Sequence, residues 1–254
     1  MNAIIIQARM GSRRLSGKVL MNITNQETIL QHVIKQLRFC KTVDKIIVAT
    51  TLNQEDDKIC DVCSELSIEC FRGNEENVLD RYYQCAKKFS LSNIIRIPAD
   101  KPLIDPKIVD NIANTFNSGS YDYVTNFFPS TVPQGTEVEI ISFNALEKAW
   151  KHAVLPSDKE HVTKYVYTHE NEFKIFNVRN EKDFSKFRWA VDEIEDLNLV
   201  KEIIRRIKKT PIFTEDIIKL LDSEPQLRKI NQSISNEEGY SRSLKNDENF
   251  LQEK

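Results

Sequence analysis

The 254-residue chain is short of several things, and each shortage excludes something. No apolar run approaches the roughly 18 residues that a membrane span needs. The apolar start, Ala3–Ile6, turns basic within a few residues, unlike a signal peptide. Neither charge dominates: 36 basic against 38 acidic residues leave a net −2. No global field therefore marks nucleic acid or an anionic membrane as a partner. Cysteine is sparse too, at Cys40, Cys60, Cys63, Cys70 and Cys85. The Cys60-x-x-Cys63 pair has no second pair at zinc spacing and falls in a predicted helix. Reduced thiols in a cytoplasmic protein are expected. There are only six glycines. Neither the Walker spacing nor Gly-x-Gly-x-x-Gly occurs, and no internal repeat is visible. The 40% hydrophobic content suits one large α/β core.

What is there is concentrated in the first twenty residues. Ala3–Ile6 is a short apolar run rich in β-branched residues, the pattern of a strand buried on both faces. Gln7–Lys18 then carries Arg9, Arg13, Arg14 and Lys18, interleaved with Gly11, Ser12, Ser16 and Gly17. Small residues let backbone N–H groups approach an anion, and four cations neutralise it. Ligands in open α/β sheets bind at strand carboxyl ends, where this loop sits. The loop is either a cradle for a polyphosphate or a solvated basic turn, and the buried strand before it favours the cradle.

Further along, helical spacing covers Thr28–Phe39 and Glu55–Leu66, and buried-strand patterns cover Asp44–Thr51 and Ile68–Phe71. Strands alternating with helices predict a parallel sheet with right-handed crossovers. Asn77–Phe89 is a predicted helix and Ile94–Ile97 a strand. That strand ends in Pro98-Ala-Asp100, and Pro102 stiffens the loop after it. An Asp there can either shape the turn or carry Mg²⁺ beside a triphosphate. Pro106–Phe116 is a helix and Tyr121–Asn126 a strand. In Pro133–Ile141, Glu137 and Glu139 alternate with Val138 and Ile140, so they share a strand face. Phe143–Lys151 is a helix and Phe173–Val178 a strand. Arg188–Val191 is a short apolar strand, followed by the acids Asp192, Glu193, Glu195 and Asp196. That is more acid than the helix Glu195–Lys208 needs at its start. After a last helix, Thr214–Ser223, the composition turns polar. Residues 1–222 form the expected domain and 223–254 a flexible tail.

Gln7-Ala-Arg-Met-Gly-Ser-Arg-Arg-Leu-Ser-Gly-Lys18 resembles the signature of the sugar nucleotidyltransferases that activate acidic sugars with CTP. The nearest branch is the one named for a spore-coat polysaccharide biosynthesis protein. The synthetases of CMP-sialic acid and CMP-3-deoxy-manno-octulosonate are more distant. Ala99-Asp-Lys-Pro-Leu-Ile104, Pro133–Glu139 and Glu160-His-Val-Thr163 are similar to further segments of that branch. Ser16 stands where it usually has Pro, and Gln134 where it usually has Arg. The resemblance implies a three-layer α/β/α fold with a mostly parallel, Rossmann-like sheet. It implies Gln7, Ala8, Arg9, Gly11, Ser12, Arg13, Lys18, Arg72, Asp80 and Arg81 around CTP, with Arg9, Lys18 and Asp100 catalytic. It implies Mg²⁺ shared by Asp100 and Asp192. It places an anionic acceptor near Gln134, Glu137, Glu139, Glu160 and His161, in an enzyme of cell-surface glycan synthesis, expected as a homodimer. From the residues alone three rivals stay open: a guanylyl- or uridylyltransferase, a glycosyltransferase, which usually shows an Asp-x-Asp motif not found here, and a non-catalytic nucleotide-binding module.

Overall fold

The computed structural model describes residues 1–12, 14–234 and 238–252. Its frame is a seven-stranded sheet with the order β3-β2-β1-β4-β6-β5-β7. The strands are β1 (Asn2–Gln7), β2 (Lys45–Thr51), β3 (Glu69–Gly73), β4 (Asn93–Pro98), β5 (Tyr123–Thr125), β6 (Glu139–Ser142) and β7 (Ile175–Asn177). β6 runs antiparallel to both neighbours, and every other pairing is parallel.

The period-two alternation of β1 builds two cores at once. Ile4 and Ile6 face one side, where they meet α1 (Ile29–Leu37), α2 (Asp57–Glu65), α4 (Pro106–Ser118), α8 (Ile194–Arg206) and α9 (Thr214–Ser223). Ala3 and Ile5 face the other, against α3 (Val78–Lys88), α5 (Phe143–His152) and α7 (Lys164–Thr168). The result is the expected α/β/α layering. α1 shows how the sequence sets an element. Thr28 caps it in a capping box with Gln31, and the apolar residues Ile29, Leu30, Val33, Ile34 and Leu37 are all buried. Each such side chain contributes roughly 1.5–3 kcal/mol, and Ile34→Ala would remove about 2–5 kcal/mol.

The topology also creates the cleft. The crossovers through α1 and α2 lie on one face, and the chain returns from β3 to β4 through α3 on the other. β4 therefore pairs with β1 on the side away from β2. The strand order reverses between β1 and β4, and a crevice opens beyond their carboxyl ends.

Two expectations need correction. Glu137 does not share a strand face with Glu139, because β6 begins at Glu139. Glu137 lies in the irregular stretch before β6, where its carboxylate accepts the Gly135 N–H at 2.8 Å. Arg188–Val191 is not a strand of the sheet. It makes one isolated parallel bridge, Gln134↔Arg188, and sinks Trp189 into the core. The polar segment after residue 222 holds two elements that the sequence reading did not predict. It forms a 3-10 turn, Pro225–Lys229, and a helix, α10 (Glu238–Gln252). The polar composition hid this helix because its described contacts are hydrogen bonds and ion pairs from Ser243 and Asp247. Among the described residues, no helix is long and apolar enough to cross a membrane. All five cysteines are free, four on or beside the first α-layer and Cys85 in the second.

Candidate active site

The loop after β1 is shaped by its own backbone. Ala8 N–H still pairs with Ala49, 3.1 Å away. Met10 N–H donates to Asp56 Oδ1 at 2.7 Å, and Asp56 is buried against the Thr51 hydroxyl. The Met10 carbonyl accepts from Ser12 N–H at 2.7 Å and Gly17 N–H at 2.8 Å, folding the loop back on itself. Gly17 turns the chain at φ 68°, a left-handed conformation that glycine adopts without steric cost. That turn delivers Lys18 into a 3-10 turn, with its ammonium in the floor of the crevice.

Lys18 is 8% exposed. Its Nζ donates to Asp100 Oδ2 at 2.9 Å, Asp192 Oδ1 at 2.9 Å and the Val191 carbonyl at 2.8 Å. Burial pushes its pKa down, but the two carboxylates outweigh burial and raise it. Asp192 also pairs with Arg14, 2.7 Å away, and with Arg188, 2.9 Å away. Burial alone would raise its pKa. Lys18, Arg14 and Arg188 hold it well below the usual carboxylate range instead. Asp196, in the first turn of α8, grips Arg188 Nε at 2.9 Å and accepts the N–H groups of Asp192 and Glu193. This explains the surplus of acids: Asp196 is the clamp, and Asp192 is the residue presented. The Val191 N–H donates to the Asp100 carbonyl at 2.8 Å, tying the two acidic segments together.

The crevice encloses about 330 Å³ and is lined by Gln7, Ala8, Arg9, Ser12, Arg14, Lys18, Arg81, Arg96, Asp100, Glu160, His161 and Asp192, among others. Most of the residues singled out in the sequence thus meet in one place. Arg81, which the resemblance places near the nucleotide beside Asp80, is among them, and Arg96 was missed as a site residue. Arg96 is a lone cation inside the apolar run of β4, and that was its signal. Its Nε reaches Gln7 Oε1 at 3.2 Å and its other end pairs with the buried Glu139. Arg81 is 2% exposed. It gives one N–H to the Asn74 carbonyl at 2.7 Å, leaves Nε without a hydrogen bond and has no ion pair among the described residues. Burial lowers its pKa. A buried guanidinium facing a cleft without a carboxylate favours an incoming anion.

Other expected contacts lie elsewhere. Arg72 is engaged away from the crevice, with Asp57 and the carbonyls of Thr51 and Asn53. Asp80 takes Trp150 Nε1 at 2.9 Å and Gln84 at 3.0 Å. Gly11 sits beside Glu55 and Glu75, outside the crevice lining. Arg13 falls outside the described residues. Gln134 accepts from Arg188 at 2.8 Å, and Glu137 is bound by Lys101, 2.9 Å away. Glu139 accepts from Arg96, Tyr123 and Thr163. These three support the walls of the site rather than lining it.

An arginine-lined crevice whose floor joins an ammonium to two carboxylates matches what comparison with other proteins finds. A cytidylyltransferase family model matches residues 3–241. The chain belongs to the cytidylyltransferase family. It is 32% identical over 230 residues to the spore coat polysaccharide biosynthesis protein SpsF of Bacillus subtilis, covering 87% of this chain and 94% of SpsF. It is 32% identical over 114 residues to the 3-deoxy-manno-octulosonate cytidylyltransferase of Trichlorobacter lovleyi, covering 44% of this chain and 43% of that one. Among solved structures, a cytidylyltransferase from Leptospira borgpetersenii superposes with a TM-score of 0.87 at 33% identity, covering 92% of this chain and 99% of that one. Membership makes the chain a nucleotidyltransferase with CTP as the nucleotide.

Arg9, Arg14, Arg81 and Arg96 give this cytidylyltransferase cleft a mostly cationic lining that also holds Glu160 and His161. Among the described residues, no group of three or more His, Cys, Asp or Glu is arranged to hold a metal ion alone. Asp100 and Asp192 do converge on one cation, the Lys18 ammonium. A two-carboxylate site suits Mg²⁺, which completes its octahedron with phosphate and water oxygens. The donor set therefore fits a metal that arrives with the nucleotide.

Proposed function

We propose that this cytidylyltransferase moves CMP from CTP onto a small acidic sugar or similar anion for cell-surface glycan synthesis, with Mg²⁺ as cofactor, and works as a cytoplasmic homodimer. The observation that carries the proposal is the Lys18 ammonium held 2.9 Å from both Asp100 and Asp192 at the floor of the arginine-lined crevice. The acceptor oxygen bonds to the α-phosphorus as the bond from that phosphorus to the β-phosphate bridging oxygen breaks, and pyrophosphate leaves. No covalent enzyme intermediate is needed, so positioning and charge neutralisation carry the catalysis. Arg9, Arg14 and Lys18 bind the triphosphate and offset the charge growing on pyrophosphate. Arg81 and Arg96 add two further cations to the same lining. Asp100 and Asp192 would hold Mg²⁺, which supplies further neutralisation of the phosphate oxygens. Glu160 and His161 receive the acceptor. The homodimer is checked by light scattering.

The test is pyrophosphate release from ATP, CTP, GTP and UTP against a panel of acidic sugars and phosphonates, with and without Mg²⁺. The relatives put 3-deoxy-manno-octulosonate on that panel. The expected result is release with CTP, only with Mg²⁺, lost in a folded Asp100→Asn variant. Metal-independent release, or full activity in that variant, contradicts the metal assignment.

A further inference from the structure

Helix α6 (Pro156–His161) carries Glu160 and His161 into the crevice and packs on α3 and α7, yet its own residues do little to cap it. Six residues make fewer than two turns, far below the length at which a helix persists by itself. Its N-cap position is Leu155, which supplies no side-chain hydrogen bond. At its far end Val162 is left-handed at φ 60°, an unfavourable conformation for a β-branched residue.

The missing support comes from the far end of the chain. Asp247 on α10 accepts the Ser157 backbone N–H through Oδ1 at 2.9 Å and the Ser157 hydroxyl through Oδ2. A carboxylate on another helix thus does the work of an N-cap. Asp247 Oδ2 also lies 3.0 Å from Lys164 Nζ, which donates to Ser157 Oγ as well. One helical turn earlier, Ser243 is 1% exposed. Its Oγ lies 2.9 Å from Glu160 Oε2 and 2.9 Å from His161 Nε2. A carboxylate only accepts, so the hydroxyl proton goes to Glu160 and the imidazole Nε2–H donates to Ser243. Ser243 thereby sets the orientation of one residue and the tautomer of the other. Ser243 and Asp247 are four residues apart, on one face of α10. That face spans α6 from its first turn to its last. The cytidylyltransferase family model ends at residue 241, so both residues lie beyond the matched segment.

We propose that α10 is a latch on the acceptor side of the crevice: Asp247 caps α6 from outside, and Ser243 is a positioning residue that orients Glu160 and His161. The acceptor part of the proposal rests on the assignment of Glu160 and His161 to the acceptor. Two measurements on the full chain separate the two ideas. The first is amide hydrogen exchange over residues 156–163 in the wild type, Ser243→Ala, Ser243→Thr and Asp247→Ala. The second is pyrophosphate release at saturating CTP, titrated with 3-deoxy-manno-octulosonate and N-acetylneuraminate, in the same proteins and in Glu160→Gln.

The latch predicts faster exchange confined to 156–163 in Asp247→Ala and Ser243→Ala. It predicts an acceptor KM raised roughly tenfold, as for loss of one charge-assisted hydrogen bond, with the KM for CTP unchanged and Ser243→Thr restoring both. Unchanged exchange in both alanine variants overturns the latch. So does an acceptor KM raised in Glu160→Gln but not in Ser243→Ala. Faster exchange with the acceptor KM unmoved in all variants, Glu160→Gln included, upholds the hold of α10 on α6 and removes the acceptor from Glu160.

Discussion

Lys18 Nζ is equidistant, at 2.9 Å, from Asp100 Oδ2 and Asp192 Oδ1, two acids 92 residues apart in sequence that meet on one ammonium. Asp100 and Asp192 are also the residues that would hold the proposed Mg²⁺. Removing the ammonium leaves two half-buried like charges facing each other. Lys18→Ala should lose about 3–5 kcal/mol, the cost of breaking such a group by deleting one member. Millimolar Mg²⁺ should restore part of that loss by binding the folded state. The wild type, with its ammonium in place, should gain little from Mg²⁺ without nucleotide. Thermal melts of both proteins with Mg²⁺ and with EDTA check this. A Lys18→Ala melt indifferent to Mg²⁺ would count against a shared carboxylate site.

Gly135 controls the second acid from a distance. Its φ is +109°, and a Cβ there would lie 2.7 Å from Ala190 N and 3.0 Å from the Trp189 carbonyl carbon. Both are backbone atoms of the segment leading into Asp192, so no side-chain rotation relieves the clash. Gly135→Ala should cost about 1–3 kcal/mol of stability. It should also lower kcat more than it raises the KM for CTP, because Asp192 shifts while the loop after β1 stays put. Steady-state kinetics beside denaturant melts test this, and a stable variant with unchanged kcat would refute it.

The buried Arg96–Glu139 pair gives a pH signature. Burial pushes the Glu139 pKa up, but Arg96 and the hydroxyls of Thr163 and Tyr123 outweigh it, leaving the pKa below its ordinary 4.5. A group with a depressed folded pKa stabilises fully above its unfolded value and loses that contribution as pH falls toward the folded one. Glu139→Gln should therefore be clearly less stable than the wild type at pH 7. The gap should narrow below about pH 4, where the unfolded carboxyl is protonated. A gap that stays constant from pH 7 to pH 3 would show that the charge of Glu139 contributes nothing.

The sequence displayed the floor of the site better than its walls. Arg9, Lys18, Asp100 and Asp192 are legible because each follows a short apolar run, and strand ends are where open sheets bind ligands. Arg81 and Arg96 are not legible in that way. One sits on an amphipathic helix and the other inside a buried strand, and only the fold shows which way they point. Glu137 and Glu139 looked equivalent because period two assumes an unbroken strand, and the turn at Gly135 breaks it. Gln134 and Glu139 are polar residues near the site that turned out to support Arg188 and Arg96. Linear spacing cannot separate a side chain that touches a ligand from one that holds its neighbour. Helix α10 was hidden because its described anchoring groups are Ser243 and Asp247, and a composition count reads polar residues as solvent-facing.

The most direct measurement is a crystal structure with CTP and Mg²⁺. We expect the triphosphate against Arg9, Arg14 and Lys18, one Mg²⁺ on Asp100 and Asp192, and the α-phosphorus open toward Glu160 and His161. CTP bound away from the crevice, or in it with Asp100 and Asp192 both remote from the phosphates, would contradict the account.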